Sequence, residues 1–263
     1  MSATAFVLWL CVSVDPRPLP RAAPQLPPSN LKVNVLARED LDSDHLRALA
    51  RPQVVLWLST KSNVLSESVL TSLSRFDEAW VQLKSPFEPS HFAQLEQLPR
   101  VGLWVSAAEL AGKGAGRLKS PRRLAVSLEG PLDEAMAAKL EAVRPAWILW
   151  SHSGPVDVLT WSQFKQLPGK KLYRPETEQL TRTDCGVRGD AREPAAWVHV
   201  TLLMALAGDV FPCGKGGWVQ LEPSSDPWIA LSLLARDPST ELVFDVGAAE
   251  DRSVATRRAL DAL

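Results

Sequence analysis

The sequence predicts an α/β fold, a full or partial parallel (βα) barrel of short repeating units with a small C-terminal region. Three observations carry that prediction. Residues 101–106 (Val-Gly-Leu-Trp-Val-Ser), 124–129 (Leu-Ala-Val-Ser-Leu-Glu) and 147–152 (Trp-Ile-Leu-Trp-Ser-His) are apolar strand patterns separated by helix-length stretches. Parallel pairing requires such crossovers, because the chain must return to the same end of the sheet before the next strand starts. From Val54 onward the strand starts recur at roughly 22 to 25 residues, near the minimum for a strand, a helix and two short loops. A leucine-rich solenoid has a similar pitch, but its fixed leucine offsets ending in asparagine are missing, so it ranks second, with a doubly wound sheet as a further fallback.

Composition limits the function classes. With 46% hydrophobic and 22% charged residues the 263-residue chain is an ordinary globular protein with enough length for a sizeable core. A formal net charge of −1 gives no electrostatic reason to expect nucleic acid or an anionic membrane. No apolar run reaches the length of a spanning helix, so no membrane span is expected. Ten Trp against one Tyr is unusual; Trp pairs a large apolar body with one N–H donor, which suits core packing or a ligand cleft, and since several of them sit inside the strand patterns core packing is preferred.

In chain order, residues 5–14 read either as a first strand, which leaves a cytoplasmic protein, or as the apolar part of an export signal. The strand reading is preferred, since Val7-Leu8-Trp9-Leu10 matches Val55-Leu56-Trp57-Leu58 and no basic residue precedes it. Six prolines between Pro16 and Pro28 make a connector, so residues 1–30 form an N-terminal segment. Residues 31–176 form the (βα) repeat core. Within it, strands are expected at 31–36, 54–59, 79–84, 101–106, 124–129, 147–152 and 171–174, with helices at 40–50, 66–76, 89–99, 132–143 and 158–167. The crossover at 107–121 carries Gly112, Gly114 and Gly116, which weaken a helix there. From Thr181 the rhythm breaks, and residues 177–263 are read as a distinct region. That stretch is set apart as a C-terminal region with apolar residues 195–206, strands at 218–221 and 242–246, and helices at 227–235 and from 252.

Ligands of open sheets and barrels bind at the carboxyl ends of the strands. If the apolar strand faces contact the helices, the opposite faces look inward, giving a ring of Lys84, Trp104, Ser106, Glu129, Trp150, His152 and Arg174, with Glu222 and Asp245 as additions. Glu129 and His152 are the candidate acid–base pair. The plainer alternative is that polar residues stand there because strands end at the surface. The run from Gly112 to Ser120 is glycine-rich and basic but continues into Pro121 rather than a helix, so it reads as a solvated loop rather than a phosphate cradle. Cys185 and Cys213 are a candidate disulfide; with His199 they lack the paired spacing of a metal site, and no metal or cofactor is assigned.

Residues 54–86, a strand ending in Ser59-Thr60-Lys61-Ser62-Asn63, a helix, and Ala79-Trp80-Val81-Gln82-Leu83-Lys84-Ser85, resemble the middle units of the radical S-adenosylmethionine barrel. Cys185 with Gly208-Asp209-Val210-Phe211-Pro212-Cys213-Gly214 is similar to part of the Cys-rich auxiliary region of that family. The family's three-cysteine cluster motif is absent, since Cys11 stands alone after the first apolar run. The resemblance therefore implies a degenerate barrel without radical chemistry. The expected function is an accessory or binding protein that takes a small molecule, a peptide or a partner protein at the strand carboxyl ends. The alternative is a hydrolase or lyase built on Glu129 and His152.

Overall fold

A computed structural model describes residues 32–38, 43–86, 88–111, 123–175, 195–200, 217–221 and 240–245. The expectations placed on residues 1–31, on the loop 112–120, on Cys185 and Cys213, on Glu222 and on the helices near 227–235 and beyond 252 lie outside them.

The described residues form ten strands: β1 (Val33–Arg38), β2 (Val54–Ser59), β3 (Glu78–Gln82), β4 (Val101–Ser106), β5 (Leu124–Glu129), β6 (Trp147–His152), β7 (Lys170–Pro175), β8 (Ala195–Val200), β9 (Gly217–Leu221) and β10 (Thr240–Asp245). Each pairs in parallel with its sequence neighbours, and β1 pairs with both β2 and β10, so the sheet closes into a barrel. This closure excludes the solenoid and the open doubly wound sheet, both of which leave their first and last strands apart. It also carries β8, β9 and β10, from the stretch set apart as a C-terminal region, into the same sheet as the repeat core.

Helices α1 (Ser43–Leu49), α2 (Glu67–Leu73), α3 (Pro89–Glu96), α4 (Ala107–Ala111), α5 (Glu134–Val143) and α6 (Val158–Gln166) occupy crossovers between consecutive strands. Several begin where a side chain replaces the missing backbone acceptor of the first turn. Ser66 accepts from the Val69 amide, Asp133 from Met136, and Asp157 from both Leu159 and Thr160. The helix α5 ends on Arg144 in the left-handed conformation, φ 49°. Among the described residues no helix is long and apolar enough to cross a membrane.

Period-two alternation divides the apolar side chains into two layers. The outer layer, between sheet and helices, contains Leu56, Leu58, Val81, Leu103, Val105, Val126, Leu128 and Ile148 against Leu46, Leu73, Phe92, Leu110, Leu140 and Phe164. A separate inner cluster fills the barrel with Val55, Trp57, Trp80, Ala125, Trp147, Leu149, Leu172, Trp218 and Val243, with Leu36 and Trp104 packed against it. Both faces of most strands are therefore apolar, which is why they read as near-continuous hydrophobic runs.

Five tryptophans dominate the interior. Trp57 stacks on Trp80 at 5.6 Å and meets Trp104, Trp147 and Trp218 edge-on at 5.6, 6.0 and 5.5 Å. Aromatic pairs of this geometry contribute roughly 0.5–1.5 kcal/mol each beyond area burial, so the four contacts make Trp57 the centre of the inner packing. A buried indole N–H costs free energy unless it finds an acceptor, and most such groups do. The Trp57 Nε1 donates to Asn34 Oδ1 at 3.1 Å, and Asn34 Nδ2 donates to Glu241 at 2.8 Å. At the amino end of the barrel, Glu78 Oε1 accepts from Trp80 Nε1 at 3.1 Å and from Trp147 Nε1 at 3.4 Å, and pairs with Arg123 at 3.3 Å. Arg123 and Lys170 lie over the faces of Trp80 and Trp147, each 4.9 Å from the ring centre. The amino end is thus closed by charged groups that satisfy the indoles beneath them.

Candidate functional site

With its amino end closed and its middle filled by Trp, the barrel, among the described residues, is open at the carboxyl ends of the strands. Exposure rises in that direction. Trp57 and Trp80 are buried, Trp104 is partly open, Ser59, Gln82, Ser106, Ser127 and Ser151 are half-buried, and Glu129 and Arg174 are exposed.

Strand register assembles the most polar part of this mouth. Glu129 on β5 lies beside Ser151 on β6, and Ser151 beside Arg174 on β7. Alternation puts all three on the inner face, in step with Ala125, Leu149 and Leu172 of the barrel filling. A carboxylate, a hydroxyl and a guanidinium therefore stand in one row across three adjacent strands. Desolvation lowers the Arg174 pKa from its ordinary value, while the Asp245 and Glu129 carboxylates act to raise it. The residue still keeps solvent access and, as an arginine, remains protonated. The two raising influences also show that β5, β7 and β10 bring their end-of-strand charges within electrostatic reach of one another.

The remaining hydroxyls of the mouth are occupied. Ser59 Oγ donates to Gln82 Oε1 at 3.0 Å, Ser127 Oγ to the Val105 carbonyl at 3.3 Å, and Ser106 Oγ to Glu109 at 3.1 Å. The Ser106 amide also donates to Glu109, at 2.7 Å, so Ser106 serves the start of α4. Trp104 Nε1 is buried without a hydrogen-bond partner. Of the residues expected in the ring, Trp104, Ser106, Glu129 and Arg174 lie on the inner face of their strands. Lys84 lies two residues past the end of β3 and is exposed, and Glu222 lies outside the described residues.

The placement of Trp150 and His152 requires a correction. Both were expected to look into the barrel, but they lie on the outer face of β6 with Ile148. Trp150 packs against Phe164 at 4.8 Å and Trp161 at 6.3 Å, both on α6, and against Tyr173 at 5.4 Å. Its Nε1 donates to the Gly130 carbonyl at 2.8 Å, and His152 stacks on it at 5.8 Å. The reason is that β6 is apolar on both faces, so polarity could not say which set, Trp147 and Leu149 or Ile148 and Trp150, turns inward. The same reversal separates the expected acid–base pair: Glu129 and His152 stand on adjacent strands but on opposite faces of the sheet. The residue it brings into the mouth instead is Ser151, which lay unremarked between Trp150 and His152.

Core packing, the preferred reading of the tryptophans, holds for Trp57, Trp80, Trp147, Trp150, Trp161 and Trp218; that several of them fill the barrel lumen was not expected, although two signals pointed to it. Trp80-Val81-Gln82-Leu83 and Trp218-Val219-Gln220-Leu221 are the same four residues, and in each strand the Trp packs in the barrel interior. Leu56-Trp57-Leu58 and Leu103-Trp104-Val105 likewise flank an inward Trp with outward aliphatics. An apolar cleft between α3 and β4, lined by Phe92, Leu95, Leu98, Pro99 and Val101, lies on the outside of the barrel, away from this row. No protein-family model matches the chain, and no curated protein matches it.

Proposed function

We propose that the protein is a non-catalytic binding protein that holds a small molecule at the carboxyl end of its barrel. The observation that supports this most directly is the contrast between a lumen plugged by Trp and a mouth whose inner face carries half-buried and exposed polar groups. Among the described residues no hydrogen bond is made by Ser151 Oγ, whereas Ser59, Ser106 and Ser127 are engaged, and the exposed Glu129 carboxylate acts on Arg174. A few convergent polar groups above an apolar floor is the common composition of a small-ligand site. The alternative built on Glu129 and His152 is less favoured, because alternation puts the two side chains on opposite faces of the sheet and His152 against Trp150.

The test is thermal unfolding of the full chain, followed by intrinsic Trp fluorescence, against a panel of small sugars, nucleosides, dicarboxylates, amines and amino acids at millimolar concentration. A ligand present at 100 times its Kd stabilises the folded state by about 2.7 kcal/mol, a readily measured shift. At least one chemical class is expected to raise the Tm, and Ser151→Tyr, which fills the mouth, is expected to remove that effect. Stabilisation by no class, or stabilisation that survives Ser151→Tyr, overturns the proposal.

A further inference from the structure

The formal net charge of −1 conceals an uneven distribution. At the amino end of the barrel, the connections entering β2, β3, β4, β6 and β7 each present one exposed cation: Arg51, Arg75, Arg100, Arg144 and Lys170. The half-buried Arg123 adds a sixth at the start of β5. With the last turns of the helices included, Lys165 and Lys171 bring this sector to eight cations, against the four acids Asp77, Glu78, Glu96 and Glu141. Arg47 is neutralised by Asp44, and Glu109 is bound to Ser106 at the other end of the sheet. The connection 112–122 lies outside the described residues, and its sequence contains no acid. Just beyond the sector, Lys32 and Glu241 are one of each sign.

Asp77 pairs with Arg100 and Glu78 with Arg123, which leaves Arg51, Arg75, Arg144 and Lys170 without a carboxylate partner among the described residues. Helix dipoles do not account for these positions. A cation complements a helix in its last turn, and α2, α3 and α5 have none there; their cations stand in the connections that follow. Arg144 holds the left-handed conformation that ends α5, φ 49°, where glycine is favoured, whereas the connection after α6 uses Gly169 at its own left-handed position, φ 82°. Pro52, Pro99, Pro145 and Pro168 stand within two residues of four of the six cations and stiffen the backbone that carries them.

The face also lacks the features that other anionic partners use. The exposed large apolar side chains among the described residues, Val64, Val158 and Leu159, follow β2 and β6, at the opposite end. A membrane or a protein partner would find no such anchor at the amino end. Trp80 and Trp147 lie beneath Arg123 and Lys170, so neither ring is open to stack an unpaired base. What remains is a row of cations, mostly guanidinium, the group that matches phosphate oxygens in geometry. It follows about 24 Å of sheet rim, the length of roughly seven base pairs.

We propose that this amino face binds duplex nucleic acid through its phosphate backbone, without reading sequence. The surface lies at the far end of the barrel from the mouth and does not depend on what binds there.

The experiment is fluorescence anisotropy of the full chain with labelled DNA duplexes of about 20 base pairs and two unrelated sequences, the matching RNA duplex and the single strand, at salt from about 20 to about 200 mM. Duplex binding in the micromolar range is expected, equal for the two sequences, with log K falling against log salt at a slope of about −3 to −4 for four unpartnered cations. Comparing DNA with RNA shows which duplex is the source of the phosphates. The Arg51 and Arg75 side chains make no hydrogen bond or ion pair among the described residues, so Arg51→Gln with Arg75→Gln should keep the Tm. That double variant should bind both sequences about tenfold or more weaker, with a slope smaller by about 2. Lys61→Gln with Lys139→Gln makes the same change in net charge away from this face and should leave affinity and slope unchanged. Equal loss in the two double variants overturns the proposal, because net charge alone would then explain binding. So does a single strand that binds more tightly than the duplex, or an unaltered chain that binds no duplex at the lowest salt, whether or not it binds phosphatidylserine vesicles.

Discussion

Gly102 shows how much of this barrel is decided by single atoms. It lies on the inner face of β4, where a Cβ would come 2.3 Å from Trp80 Cζ3, 2.5 Å from Cε3 and 3.1 Å from Arg123 Cβ. Trp80 cannot retreat, because Trp57 stacks against it, Glu78 holds its Nε1 and Arg123 lies over its ring. Gly102→Ala is therefore an overpacking substitution, expected to cost about 1–3 kcal/mol. The check is a urea titration followed by Trp emission: the midpoint should fall, and an unchanged midpoint would mean that the inner cluster is looser than described. At this scale the sequence was only half legible. Glu129 and Arg174 were readable because a charge ending an apolar strand has few places to go but the mouth. Trp150 and His152 were not, because alternation assigns residues to two faces without saying which face is inside. Where both faces are apolar, only neighbouring strands and helices decide, and in β6 it was α6, through Trp161 and Phe164, that claimed Trp150.

The elements themselves were far easier to read than the faces they present. Strands expected at 54–59, 101–106, 124–129 and 147–152 have those bounds in the structure, and the helices at 132–143 and 158–167 begin and end within two residues of the expected ones. The physical reason is local: β-branched and aromatic runs mark strands, while Asp and Pro mark helix starts whatever the tertiary context. The cap of α6 makes a prediction at this scale. The Asp157 carboxyl is held below its ordinary value of 3.8 chiefly by the Thr160 hydroxyl and then by the Thr160 amide, with a smaller contribution from Leu159. A carboxyl whose folded pKa is depressed adds stability that is present above its unfolded pKa and is lost as pH falls through the folded value. Asp157→Asn keeps an acceptor at the cap but cannot titrate. The wild-type chain should therefore lose part of its Tm advantage over Asp157→Asn between about pH 7 and about pH 3. A Tm difference that is the same at both ends of that range would show that the carboxylate charge does not contribute.

At the scale of the whole molecule, the division at residue 176 is where the sequence reading and the structure part. The strand starts keep their pitch past β7, since β7, β8, β9 and β10 begin at residues 170, 195, 217 and 240. Residues 195–200, however, sit inside an apolar stretch that read on to 206 without a strand boundary, so the rhythm read as broken. Parallel pairing places these strands by the edges that would otherwise remain unpaired. A chain ending at residue 176 would leave β7 without β8 and β1 without β10, two open edges on a strongly apolar sheet. It would also remove Trp218 and Val243 from the inner cluster and Glu241 from Asn34, the acceptor that satisfies Trp57. Deleting a large buried aromatic alone costs about 3–5 kcal/mol, a large part of the net stability of a typical domain. The fragment 31–176 is therefore expected not to fold cooperatively, whereas the full chain should unfold in one transition with far-UV and near-UV circular dichroism changing together. A fragment that melts sharply and keeps a near-UV Trp signal would mean that the first seven strands form a self-sufficient sheet. The last three would then be an appendage that closes the mouth rather than part of the barrel's foundation.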